Sequence, residues 1–325
     1  MRPPTGTLDV SRVALLTNPA AGKGRASDIA DVAKQRFNQL GVDVVGIQGP
    51  DARTSEKLAE AMIADERIDA LVVAGGDGLI ALALQAQAAT GTPLGIIPAG
   101  TGNDHAREYG IPTDPARAAE VVAAGRWTAT DLGRVRTYPA GTDITARELP
   151  PPVGEQWFGT IACAGFDSLV SDRTNRMRWP TGKARYNLAI AAEVINFRAQ
   201  ETTLVLDAGS PGERVVQART MLCAVGNTRT YGGGMKICPG ADHADGLLDL
   251  TVMGDIGRIR ALGQFRRIMA GTLVSDDAIS MYRSPRVRIA MPGINAYADG
   301  DPVGPLPAEI EAVPGAGMYF TPRGR

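Results

Sequence analysis

Short apolar runs alternate with amphipathic stretches through the first third of the chain, and this alternation limits the fold more than any other feature. The runs at residues 13–17, 42–47, 70–74 and 94–97 are separated by stretches at 27–40, 55–64 and 79–89 whose apolar residues recur at helical spacing, and a further helical pattern covers 115–124. Parallel strands covered by helices on both faces read as continuous Val, Ile and Leu, so the pattern predicts an α/β domain built on a parallel sheet. Asp131-Leu132-Gly133 reads as a punctuating turn, which places an α/β domain over 1–131 and a second domain over 132–325.

Beyond that point the pattern changes to short β-rich segments at 157–163, 202–206, 218–225, 247–252, 286–290 and 310–313. Their spacing, with Gly, Pro, Asp and Asn between them, predicts an antiparallel sandwich or barrel. Helical insertions are expected at 184–198 and 256–270, and 137–154, rich in Pro, Thr and charge, reads as a mobile surface loop.

Three of the strand-like runs end in glycine-rich turns: Asn18-Pro19-Ala20-Ala21-Gly22-Lys23-Gly24, Gly75-Gly76-Asp77-Gly78 and Gly100-Thr101-Gly102-Asn103-Asp104. Ligands of doubly wound folds bind at the carboxyl ends of parallel strands, where glycine lets backbone N–H groups approach a phosphate and a following helix adds its N-terminal dipole. Three such turns point to a nucleotide. The first is not a Walker A loop, because Gly22-Lys23 is followed by Gly24 rather than Ser or Thr, and no turn completes the dinucleotide fingerprint.

A formal net charge of -1 argues against broad electrostatic binding to nucleic acid. Three widely separated cysteines make neither a disulfide framework nor a zinc pair and suit a reducing compartment. Residues 1–10 lack the basic start and apolar run of a secretory signal, and every apolar stretch is interrupted well before the roughly 18 residues of a spanning helix, so a cytoplasmic location is expected.

In order along the chain, Asn18-Pro19 with Gly22, the turn at 75–78, Pro98-Ala99-Gly100-Thr101-Gly102-Asn103-Asp104, Gly165-Phe166-Asp167, the stretch 242–248 and Asp299-Gly300-Asp301 resemble the diacylglycerol kinase catalytic family over nearly the whole length. Within it, the combination is most similar to the soluble diacylglycerol kinases of actinobacteria. The resemblance implies a phosphofructokinase/NAD-kinase-like N-terminal domain, a C-terminal β-sandwich, and ATP bound in the cleft between them. It assigns nucleotide contacts to Asn18, Gly22, Gly76, Asp77, Gly78 and Thr101, and acidic roles near the phosphates and magnesium to Asp77, Asp104 and Asp131. It also implies a second Mg²⁺ site at Asp242, Asp245 and the carbonyl of Leu247, and a general base at Asp301, where relatives usually carry Glu. This chain departs from the family after Gly78: Leu79, Ile80, Ala81 and Leu82 stand where Thr and then an Asn-Glu pair are usual.

The implied reaction is transfer of the ATP γ-phosphoryl group to 1,2-diacylglycerol at a membrane surface. A related kinase acting on a sphingoid base or another lipid alcohol, and a non-catalytic nucleotide- or lipid-binding regulator, remain as alternatives. A homodimer is compatible with the sequence and not required by it. His105 and His243, the only histidines, are too few for a catalytic pair or zinc site and are expected in supporting polar roles. Two segments suit peripheral membrane association. Residues 173–185 hold five cations, Met177 and Trp179 without an acid, and 258–269 holds four arginines among Ile, Leu, Phe and Met. The second reads foremost as an amphipathic helix packing on the sandwich.

Overall fold

The computed structural model describes residues 3–18, 25–165, 168, 177 and 198–322, with Arg25, Ala26 and Arg258 described by their backbone alone. Gly22, most of 173–185 and all but the last residue of the helix expected at 184–198 lie outside the described residues. The chain divides into two compact units, Met1–Leu132 with Pro314–Arg325, and Gly133–Val313.

In the first unit, strands β2 (Arg12–Thr17), β3 (Asp43–Ile47), β4 (Ala70–Gly75) and β5 (Leu94–Pro98) form a parallel sheet in the order β3-β2-β4-β5. Leu15, Leu16, Leu71, Leu94 and Ile96 are fully buried in it. Helices α1 (Arg25–Gln39), α2 (Ala52–Ile63), α3 (Asp77–Gln87) and α5 (Pro115–Ala123) cover the sheet, α1 packing on α5 and α2 on α3. Local chemistry sets their starts. Asp51 caps α2 by accepting from the Thr54 N–H, and Asp114 caps α5 immediately before Pro115 at its first position. An ion pair of 2.7 Å between Arg36 and Glu120 ties α1 to α5.

The stretch expected to be a turn at Asp131-Leu132-Gly133 is instead the middle of a 12-residue strand, β6 (Arg126–Thr137). Both turn-like residues have tertiary reasons. Asp131 is buried and accepts the Gly315 N–H at 3.0 Å, and a Cβ on Gly133 would fall 2.0 Å from the Phe158 ring. The segment after Pro314 belongs to the first unit, where the end of β18 (Ala308–Phe320) runs parallel to β5 with Tyr319 opposite Leu94. Tyr319 there stacks on Tyr109 at 4.3 Å.

The second unit is antiparallel. Its central strand β10 (Arg214–Gly226) pairs through residues 214–220 with β9 (Gln200–Leu206). Its pairing with β13 (Leu248–Gly254) runs from Thr220 through an irregularity before Leu222, from which point it also pairs with β8 (Ile161–Gly165). Phe158, Leu204, Leu222, Val225, Leu250, Ile279 and Ile289 are part of one buried cluster. The three buried cysteines stand as thiols. The loop read as mobile is pinned: Ile144 is buried, and the Arg288 guanidinium donates to the carbonyls of Ile144 and Ala146 at 3.1 and 2.7 Å. Helix α6 (Arg258–Ala270) forms where an amphipathic helix was expected and buries Ala261, Phe265 and Ile268. No helix among the described residues is long and apolar enough to cross a membrane.

Candidate active site

Strands β4 and β5 lie in register, Gly75 opposite Pro98, so the turns that follow them leave the sheet side by side. They touch through backbone. A Cβ on Gly100 would lie 2.5 Å from the Gly76 Cα, closer than real Cβ atoms come, and one on Gly76 would lie 3.0 Å from the Gly100 Cα, at the edge of the tightest contacts. Within the third turn Asn103 takes a left-handed conformation at φ 53° and its Oδ1 accepts the Gly100 N–H at 2.9 Å. Gly78 differs: nothing stands within 4 Å of a Cβ built there, so its glycine answers no packing demand inside the protein. Thr101 and Asn18 are exposed.

Asp77 opens α3, where first-turn N–H groups lack helical partners and favour an anion. The His105 N–H donates to its Oδ1 at 3.2 Å, and the fully buried His105 imidazole lies 3.5 Å from the same oxygen. Burial pushes the Asp77 pKa up, but the His105 side chain and the backbone N–H groups of His105 and Asp104 outweigh it and hold the carboxyl below its ordinary value. It is therefore ionised at neutral pH. Asp104 is buried and accepts from Arg107 at 2.6 Å, while the same guanidinium reaches the Gly102 carbonyl, also at 2.6 Å. Asp104 thus clamps the third turn. The departure after Gly78 also has a structural consequence: Leu79 packs under Gly75, where an added Cβ would meet its side chain at 2.7 Å.

In the second unit, β16 (Asn295–Ala298) and β17 (Asp301–Pro305) form a hairpin whose two central residues, Asp299 (φ 49°) and Gly300 (φ 91°), are left-handed as a two-residue hairpin turn requires. The two aspartates divide the work. Asp299 accepts the N–H groups of Gly159, Thr160 and Ile161 at 2.7, 2.9 and 3.3 Å and the Thr160 hydroxyl, which fastens the hairpin tip to the corner before β8. Asp301 is exposed, and its carboxylate makes no hydrogen bond or ion pair among the described residues. Surrounding protein thins its hydration, and with the Asp299 carboxylate nearby this raises its pKa above the ordinary aspartate value.

Asp242, Asp245 and Leu247 lie in the loop before β13. Asp242 and Asp245 each accept a backbone N–H two residues on, from Ala244 at 3.2 Å and from Leu247 at 3.0 Å. Asp245 also pairs with the Arg283 guanidinium, which reaches Asp249 at 3.2 Å. Burial raises the Asp249 pKa against the pull of Arg283, and Asp245 and Asp242 raise it further. Asp245 and Asp249 thus share one described cation, and Asp242 adds like charge nearby. Among the described residues no group of three or more His, Cys, Asp or Glu side chains is gathered as a metal site built from side chains alone would require, and Arg283 already answers Asp245 and Asp249.

Sequence reasoning had left His105 in an unspecified polar role and had missed Asn103, Arg107 and Arg283. Asp104 and Arg107, three residues apart at a helix start, were the one local signal available.

Two family models cover most of the chain: the diacylglycerol kinase catalytic domain matches residues 12–135, and the YegS C-terminal NAD kinase beta sandwich-like domain matches residues 160–319. A diacylglycerol kinase of Mycobacterium tuberculosis is 48% identical over 317 residues, which span 97% of this chain and 96% of that protein. This chain belongs to the diacylglycerol kinase family. A probable lipid kinase YegS-like of Stenotrophomonas maltophilia is 30% identical over 316 residues, covering 93% of this chain and 94% of the relative. The fold is shared with a diacylglycerol kinase from Bacillus anthracis whose crystal structure superposes with a TM-score of 0.69 at 18% identity, covering 97% of this chain and 98% of that one. Another crystal structure from the same organism gives 0.76 at 21%, with the same coverage. The expected fold, an α/β nucleotide-binding type followed by a β-sandwich, is the one observed.

Proposed function

We propose that this family member transfers the γ-phosphoryl group of ATP to the free hydroxyl of 1,2-diacylglycerol, giving phosphatidic acid. The observation that carries the reading is the backbone apposition of Gly76 and Gly100 beside an ionised Asp77, a geometry suited to a polyphosphate and its counter-ion. The diacylglycerol substrate is supported by the name of the relative that is 48% identical.

In this reading Gly76, Gly78 and Thr101 hold the phosphates through the backbone and a hydroxyl, with Asn18 and Gly22 completing the nucleotide contacts. Asp104 keeps the third turn in shape. Mg²⁺ would neutralise phosphate charge, with Asp77 its acid at the turns, and a second Mg²⁺ at Asp242, Asp245 and the Leu247 carbonyl would brace the second unit. Asp301 accepts the proton of the lipid hydroxyl as its oxygen bonds to phosphorus and the ADP oxygen leaves. Its lack of a partner and its raised pKa suit a base, whereas the neighbouring Asp299 is occupied by the turn.

A panel of lipids and NAD with labelled ATP and Mg²⁺ tests the assignment. Labelled phosphatidic acid is expected. Phosphorylation of a sphingoid base or NAD with diacylglycerol left untouched would refute it, and binding without turnover of any substrate would make the protein a regulator.

A further inference from the structure

Helix α6 has two apolar faces, and the sandwich uses only one. Ala261, Phe265 and Ile268 are buried, with Gln264 beside them. Positions 259, 262, 266 and 269 follow a spacing of three and four and so share another stripe. There Ile259 is 92% exposed, Leu262 49% and Met269 62%. Contiguous large apolar side chains left in water mark a surface that something covers.

Charge identifies what covers it. Arg260 and Arg267 leave the helix on a third side, where they pair with Asp277 and Asp276. Arg266, within the apolar stripe, is exposed and has no carboxylate partner among the described residues, and α6 contains no acid. Of the described cations, Arg260 and Arg267 are thus neutralised away from the stripe and Arg266 is left uncompensated on it. A second copy packed across a twofold axis would bring the two Arg266 side chains to like surfaces, which disfavours self-association. An anionic lipid surface accepts both parts of the stripe, since apolar side chains enter the boundary of the acyl layer while a guanidinium stays among phosphates.

We infer that Ile259, Leu262, Arg266 and Met269 form a docking face through which this protein lies on anionic membrane. The inference rests on the proposal that the substrate is a lipid held in a bilayer. It gives the enzyme a way to remain where that lipid and its anionic product reside.

The test is co-sedimentation with vesicles of phosphatidylcholine, alone or mixed with phosphatidylglycerol. The parent protein should bind the mixed vesicles and release as salt rises. Leu262→Ser with Met269→Ser should weaken partitioning by roughly 10-fold or more, from apolar area that no longer leaves water. Arg266→Glu alone should weaken it by about 5-fold or more on the anionic vesicles, with little change on neutral ones. Because these side chains are exposed, melting temperatures should match the parent. Should the double variant unfold, Arg266→Glu decides. Phosphorylation of a short-chain diacylglycerol dispersed in water should be unchanged in both variants. Vesicle binding equal to the parent's in both variants would overturn the inference, as would a parent dimer that the double variant dissolves without losing vesicle binding. Loss of vesicle binding in variants of a parent that phosphorylates no diacylglycerol would uphold the docking face and refute the substrate.

Discussion

The glycine turns of the first unit and the acidic hairpin of the second build their surfaces from different parts of the chain. At the turns the proposed working element is the backbone: Gly76 and Gly100 approach so closely that a Cβ on Gly100 has no room, and the nearby side chains of Asn103 and Arg107 hold that backbone in place. At the hairpin the proposed working element is a side chain, and the backbone is held by its neighbour, with Asp299 fastening the tip while the Asp301 carboxylate stands clear. The difference teaches that a backbone site is broken by adding atoms and a side-chain site by removing them.

The largest expected effect is at the side-chain site. Asp301→Asn keeps size and polarity but removes the proposed proton acceptor, so kcat should fall by about 100-fold or more, within the usual range of general-base contributions. ATP affinity, measured by calorimetry, should stay within a few-fold of the parent.

The reverse split is expected for Gly100→Ala. Its Cβ would fall 2.5 Å from the Gly76 backbone, which cannot turn aside as a flexible side chain would. Overpacking costs about 1–3 kcal/mol, which applied to the bound geometry corresponds to roughly 5–150-fold in ATP affinity. Equal nucleotide binding in this variant would break the comparison.

Asp299→Asn sharpens it. The loss of a charged acceptor to several N–H groups should lower unfolding free energy in urea by about 1–3 kcal/mol. Removing the like charge should also bring the Asp301 pKa down toward the ordinary value and move the acid limb of activity to lower pH.

The smallest effect belongs to the loop before β13. Asp245→Ala should lower the melting temperature in Mg²⁺ by about 2–4 °C, corresponding to roughly 1 kcal/mol in a chain of this size, and should reduce its dependence on added Mg²⁺. The same Mg²⁺ response in variant and parent would remove the proposed metal from this loop and leave Arg283 as its counter-charge.

The sequence made the first unit legible because its strands are buried on both faces and read as unbroken apolar runs. It hid β6, since Asp131 and Gly133 look like turn residues when their partners, Gly315 and Phe158, are out of view. It also shortened β18, where Pro314-Gly315 interrupts the pattern of a strand extending to Phe320. Asp301 was legible only by resemblance, because Asp-Gly-Asp alone describes an ordinary hairpin. What separates its two aspartates is a set of donors some 140 residues earlier, and no local pattern announces them. Helix α6 was legible as amphipathic, yet which arginines stay uncompensated depends on Asp276 and Asp277, placed by a later turn.

The most direct test of the division between the two aspartates is the pH dependence of kcat/KM for diacylglycerol at saturating ATP and Mg²⁺. Because protonation of Asp301 removes the base and its pKa lies above that of an ordinary aspartate, activity in the parent should fall as pH drops through that raised value and level off above it. In Asp301→Asn that limb should vanish, leaving a low rate that is flat with pH over the same range. An unchanged limb in Asp301→Asn would contradict the account and move the proton acceptor to another group.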